Sequence, residues 1–131
     1  MNKYFFAIMM AVVISYSELN GIEQNMNPQY LYKIVSPEQW QESLLGSEIV
    51  LSPMDKEFIH LSKEDQVSHV VQKFWDNKQY VVLKLSTEKL KGRLTYETNP
   101  GGTTQYYHLY EGHIPLDAVV DLKSQKEYES K

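Results

Sequence analysis

Glu57-Phe58-Ile59-His60-Leu61-Ser62 is a short run of mixed apolar and polar side chains, followed at once by a helix-start pattern. A repeat of two predicts a half-buried strand over 57–61, with Phe58, His60 and Ser62 on one face and Ile59 and Leu61 turned into a core. An imidazole and a hydroxyl then share a face. His60 is open to two readings: a half-exposed strand residue bonded to a neighbour, or a binding group. Ser62 reads first as the cap of the next helix, with Asp65 three residues on; a helix start beside a histidine also suits an anion or a ribose.

Outward from this strand the punctuation is regular. Val67, Val70, Val71 and Phe74 recur at helical spacing and predict a helix to about Trp75, with His69 on its solvent side. Upstream, Ser52-Pro53-Met54-Asp55 is a turn cluster. Residues 30–35 are aromatic and β-branched, which suits a first strand. Ser36-Pro37-Glu38-Gln39 then combines a cap serine, a proline at the first helical position and a reciprocal glutamine. That helix is predicted to stop at Gly46 in a left-handed turn, with Trp40 and Leu44 as its buried stripe. Downstream, 80–85 reads as a central strand and 94–97 as a shorter one. Asn99-Pro100-Gly101-Gly102-Thr103 is a turn that lacks the features of a phosphate loop. Residues 106–110 alternate, placing Tyr106, His108 and Tyr110 on one face; 118–122 reads as a closing strand and 123–131 as a charged tail.

Composition bounds the function. The chain has 131 residues, 42% apolar, enough for one core and one domain. Its 13 basic residues are scattered against 17 acidic ones for a net charge of −4, which argues against a nucleic-acid partner. Without cysteine there is no disulfide, thiolate metal site or thiol nucleophile. The four histidines follow no metal-ligand spacing, so no metal is expected. No Gly-x-Ser-x-Gly elbow exposes a serine nucleophile. Asp55 and Glu97 form a carboxylate pair only if the fold brings them together.

Residues 1–17 carry a positive start, an apolar run over 4–14 and small residues Ser15 and Ser17 ahead of a cleavage point. This predicts a signal peptide, too short for a membrane span, and a periplasmic or secreted product. An uncleaved anchor is the alternative. Residues 18–29 are polar and aperiodic, a linker. What remains as chemistry is a face: His60 and His108 on separate strands among Tyr32, Tyr106 and Tyr110. The ten tyrosines of the chain can wall a pocket for a planar ligand or finish the edges of a small core.

Taken together, Tyr32-Lys33-Ile34, Phe58-Ile59-His60-Leu61-Ser62, the 80–85 strand, Leu94-Thr95-Tyr96-Glu97, His108-Leu109-Tyr110 and Pro115-Leu116-Asp117-Ala118-Val119-Val120 resemble the domain of unknown function 952 family over 30–122. The resemblance implies an α+β ADP-ribosyltransferase-like fold: two small antiparallel sheets, two helices near the N-terminal half, and a cleft for a nicotinamide adenine dinucleotide (NAD) type of ligand. It places Lys33 where related sequences often have histidine, His60 and Ser62 on the second-strand motif, and His108 on the fifth strand. The strand bearing His60 also looks like that of RNA 2′-phosphotransferases, but a single arginine, Arg93, serves a phosphate-rich substrate poorly. No glutamate lies in 106–110, where active transferases keep their carboxylate, which argues against ADP-ribosyl transfer. The resulting expectation is an exported nucleotide-binding domain. His60, His108 and, at a distance, Glu97 are its candidate catalytic groups, and Tyr32, Lys33, Ser62, Tyr106 and Tyr110 its ligand contacts. The alternative is a secreted, non-enzymatic interaction module.

Overall fold

A computed structural model describes residues 26–130. The expected signal peptide and most of the linker lie outside the described residues. The linker's last residues are docked: the Thr87 amide donates to the Gln29 carbonyl at 3.0 Å.

The first strand, β1 (Tyr30–Val35), ends where Ser36 caps helix α1 (Pro37–Ser43) with the expected reciprocal bonds: Gln39 N–H to Ser36 Oγ, and Ser36 N–H to Gln39 Oε1. The helix stops earlier than Gly46. Its last amides reach back only three residues, Leu45 to Glu42 and Gly46 to Ser43, while the Ser43 hydroxyl donates to the Gln39 carbonyl and accepts from the Val50 amide. Gly46 does not take a left-handed conformation. Leu44 is exposed, so the inner side of α1 is carried by Trp40 and Ser43.

A 3-10 turn at Pro53–Asp55 leads into β2, which is only Ile59–Leu61. Ile59 and Leu61 are buried as predicted. Ser62 does not cap the next helix. The chain passes through a 3-10 turn at Glu64–Gln66, where the Lys63 amide donates to Gln66 Oε1, into α2 (Val67–Phe74). β3 (Val81–Ser86) follows, then β4 (Lys91–Thr98), longer than the sequence suggested, β5 (Gln105–His113) and β6 (Val119–Ser124). The expected tail instead closes the strand and forms a third helix, α3 (Gln125–Glu129), under a Ser124–Glu127 capping box.

Two three-stranded antiparallel sheets result, ordered β1-β3-β6 and β2-β5-β4. Leu31, Leu83 and Leu85 from the first meet Ile59, Leu61 and Leu109 from the second in the main core, each worth roughly 1.5–3 kcal/mol of burial. Ile34, Val82, Tyr80 and Val67 form a smaller cluster on the other side of β1-β3, covered by Trp75 and Tyr128. The Tyr80 hydroxyl donates to Glu129 across this cluster, and burial together with that bond pushes its pKa up to about 12. Near the start of β4 the strands cross so closely that Gly112 is required: a Cβ there would sit 1.8 Å from the Lys91 carbonyl oxygen.

The two sheets touch edge to edge at one point. Tyr32 and Ser62 exchange both backbone bonds, at 2.8 and 2.9 Å, and β1 and β2 then part. That fork positions the candidate site.

Candidate functional site

Antiparallel pairing dictates what the fork exposes. Residues two apart on a strand present their N–H and C=O to the same side. The Ser62 groups face β1, so those of His60 do as well, at a place where β1 has drawn away. Side chains replace the missing strand: the His60 amide donates to Asp55 Oδ1 at 3.0 Å, and Lys33 Nζ donates to the His60 carbonyl at 2.9 Å. By the same period, the N–H and C=O of Ile34 point into the fork, where His60 is already satisfied.

Lys33 occupies a core position, on the face of β1 that carries Leu31 and Val35. A buried ammonium requires a counter-charge. Asp55 supplies it at 2.8 Å, both side chains being almost fully enclosed. Burial pushes the Lys33 pKa down and Asp55 draws it part of the way back. Burial alone would push the Asp55 carboxyl up; the bonds from His60 and the charge of Lys33 outweigh it and hold the group well below the usual carboxylate range. The same oxygen, Oδ1, also lies 3.0 Å from His60 Nδ1. Sequence reading placed Asp55 only in a turn and as a possible partner of Glu97. The structure makes it the hub of Lys33 and His60 instead.

Around this hub lies a hollow of about 390 Å³, toward the smaller end of the ~300–1,000 Å³ range of ligand pockets. The expected contacts Tyr32, Lys33, Ser62 and Tyr106 line it with the candidate catalytic His60, as do Ile34 and Asn99, while Phe74 and Trp75 contribute an apolar wall from the end of α2. His60 is partly open to it, its side chain 37% exposed.

His108 and Glu97 do not share that opening. His108 pairs with His60 in register, and the two rings are 5.5 Å apart, yet His108 is fully buried. It belongs to the middle strand of its sheet and has Phe58 stacked on it at 4.0 Å. Its Nδ1–H donates to Glu97 Oε1 at 2.9 Å, and its Nε2 lies 2.8 Å from the Asn99 side-chain amide. Glu97 also accepts from the Tyr110 hydroxyl; that bond first, and His108 second, lower the Glu97 pKa, and the Glu97 bond raises that of Tyr110. His108 and Tyr110 thus both bond Glu97, and all three stay off the lining of the hollow. Alternation predicted the face of His108 but not its depth. The two carboxylates, Asp55 and Glu97, each serve a different histidine rather than each other.

Among the described residues, no group of three His, Asp or Glu side chains is placed to hold a metal, and no helix is long and apolar enough to cross a membrane.

Comparison with known proteins agrees with this architecture. The family model described as "Protein of unknown function (DUF952)" matches residues 34–122, and the chain belongs to that family. No curated protein matches it. Among solved structures, it is similar to the crystal structure of protein CC0527 from Caulobacter crescentus, with 26% identity and a TM-score of 0.64 over 72% of this chain and 84% of that one. A crystal structure of a double mutant of CC0527 gives the same identity and coverage with a TM-score of 0.63. The solution structure of CC0527 gives 24% identity and a TM-score of 0.60, over 73% of this chain and 84% of that one.

Proposed function

We propose that this DUF952 member is an exported domain of ADP-ribosyltransferase-like architecture whose hollow at the fork of the two sheets binds a small nucleotide-like ligand of the NAD class, without group transfer. The observation that carries this reading is the composition of the hollow: flat aromatic walls beside an accessible imidazole and a free backbone donor and acceptor. Tyr32, Trp75 and Tyr106 contribute aromatic side chains to the lining, and Ser62 and Asn99 polar ones. The Ile34 amide and carbonyl suit a planar amide or base edge. The withdrawal of Glu97 into bonds with His108 and Tyr110 supports binding over transfer.

The test is thermal unfolding with a panel of mono- and dinucleotides on the wild type and on His60→Ala. A ligand at a hundredfold its Kd stabilises by about 2.7 kcal/mol, a Tm rise on the order of 10 °C for a domain of this size. That rise is expected in the wild type and not in His60→Ala. A second reading, a secreted interaction module, draws on the apolar rim, where Met54 is 68% and Phe74 41% exposed. No stabilisation by any nucleotide leaves that reading standing alone.

A further inference from the structure

We infer that Asp55 is a positioning residue for His60: with Lys33 beside it, it holds the imidazole with its proton on Nδ1, so that Nε2 faces the hollow as a bare acceptor and selects ligands presenting a hydroxyl or N–H there. The selection of ligand rests on the cleft proposed above; the tautomer does not.

The argument is one of acceptors and donors. Asp55 Oδ1 receives Lys33 Nζ at 2.8 Å, the His60 amide at 3.0 Å and His60 Nδ1 at 3.0 Å. An ionised carboxylate can only accept, so the Nδ1 facing it carries the hydrogen. The Lys33 ammonium already balances the charge of Asp55, so the site is neutral as a whole with a neutral imidazole. Because one oxygen holds both the amide and the ring of the same residue, strand and side chain are fixed together. Phe58, 4.7 Å from the His60 ring, covers one of its sides. The nitrogen left for a ligand is Nε2, whose lone pair accepts from a hydroxyl or amide and repels an oxyanion.

The test is the 15N imidazole NMR signature of His60 in the full chain, recorded at about pH 8.5, above the ordinary imidazole range. The wild type is expected to show a protonated Nδ1 and a bare Nε2. In Lys33→Met/Asp55→Leu the acceptor and the buried ammonium leave together, no carboxylate remains to hold a hydrogen on Nδ1, and the ring is expected to shift toward its Nε2–H form. If that variant folds poorly, Lys33→Met with Asp55→Ala likewise removes both buried charges and the acceptor and gives the same readout. A wild type with its proton on Nε2, or a tautomer unchanged in both variants, overturns the inference. In the ligand arm, NAD is the probe: Lys33→Met/Asp55→Leu is expected to weaken it about tenfold, the worth of one good hydrogen bond. A wild type that binds no NAD, ribose or nicotinamide but keeps its proton on Nδ1 overturns the selection and the cleft reading while upholding the positioning role.

Discussion

His60 and His108 face each other across one strand pair, each bonded through Nδ1 to a carboxylate, yet one opens to solvent and the other is sealed. The difference comes from where their strands lie. β5 is the middle strand of its sheet, flanked on both sides and covered by Phe58, so His108 has no route out. β2 is the strand at which the two sheets separate, and the missing neighbour leaves space beside His60. The carboxylates follow the same contrast. Asp55 is enclosed with a buried lysine and fixes the fork, whereas the Glu97 side chain is 37% exposed on the outer strand. The same imidazole–carboxylate pairing thus stands open at a sheet edge and enclosed at a sheet centre.

Several substitutions sharpen or break this contrast. The largest effect belongs to Asp55→Ala, which leaves the Lys33 ammonium without its counter-charge and the His60 amide without a partner; urea unfolding should show a loss of roughly 3–5 kcal/mol, with Lys33→Met/Asp55→Asn losing much less. Next, His108→Ala should cost about 2–4 kcal/mol through the cavity it leaves and the partners it abandons. Equal losses for His108→Ala and His60→Ala would break the division into sealed and open sites, since His60→Ala is expected to cost under ~1 kcal/mol. Gly112→Ala, at the close crossing of β4 and β5, is expected to cost roughly 1–3 kcal/mol by calorimetry without touching the hollow.

The smallest effect is in pH. The folded Asp55 carboxyl titrates below its unfolded value of about 3.9, so its contribution is complete above that pH and is lost as pH falls toward the lower folded value. Acid unfolding should therefore steepen below about pH 4 in the wild type. The paired Lys33→Met/Asp55→Asn variant should show a shallower limb; an unchanged limb would remove Asp55 from the account.

Much of this fold is written in local patterns. The alternation of Ile59 and Leu61 about His60, the apolar 80–85 run and the Ser36 capping box were all legible because each is a short-range effect. The tail helix carried the same kind of signal, Ser124 and Glu127 at cap spacing, which the charge of the segment obscured. Ser62 with Asp65 showed that spacing too, but the bridge to Tyr32 claimed Ser62 and the start shifted to Lys63 and Gln66. The site was legible in part. Tyr32, Lys33, His60, Ser62 and Tyr106 do meet at one hollow. The role of Asp55 was not readable, because its bond to Lys33 spans 22 residues and depends on where two sheets part. A lysine at a core-facing strand position was the available hint, since such a charge demands a buried partner. The depth of His108 depends on strand order, which alternation does not contain.

The most direct test of the central claim is an NMR titration of the full chain with NAD, following the ring carbons of the four histidines. Saturable shifts in His60, with His108 changing far less and His69 and His113 not at all, are predicted. A titration in which His60 stays still, or in which His108 responds and His60 does not, would contradict the account.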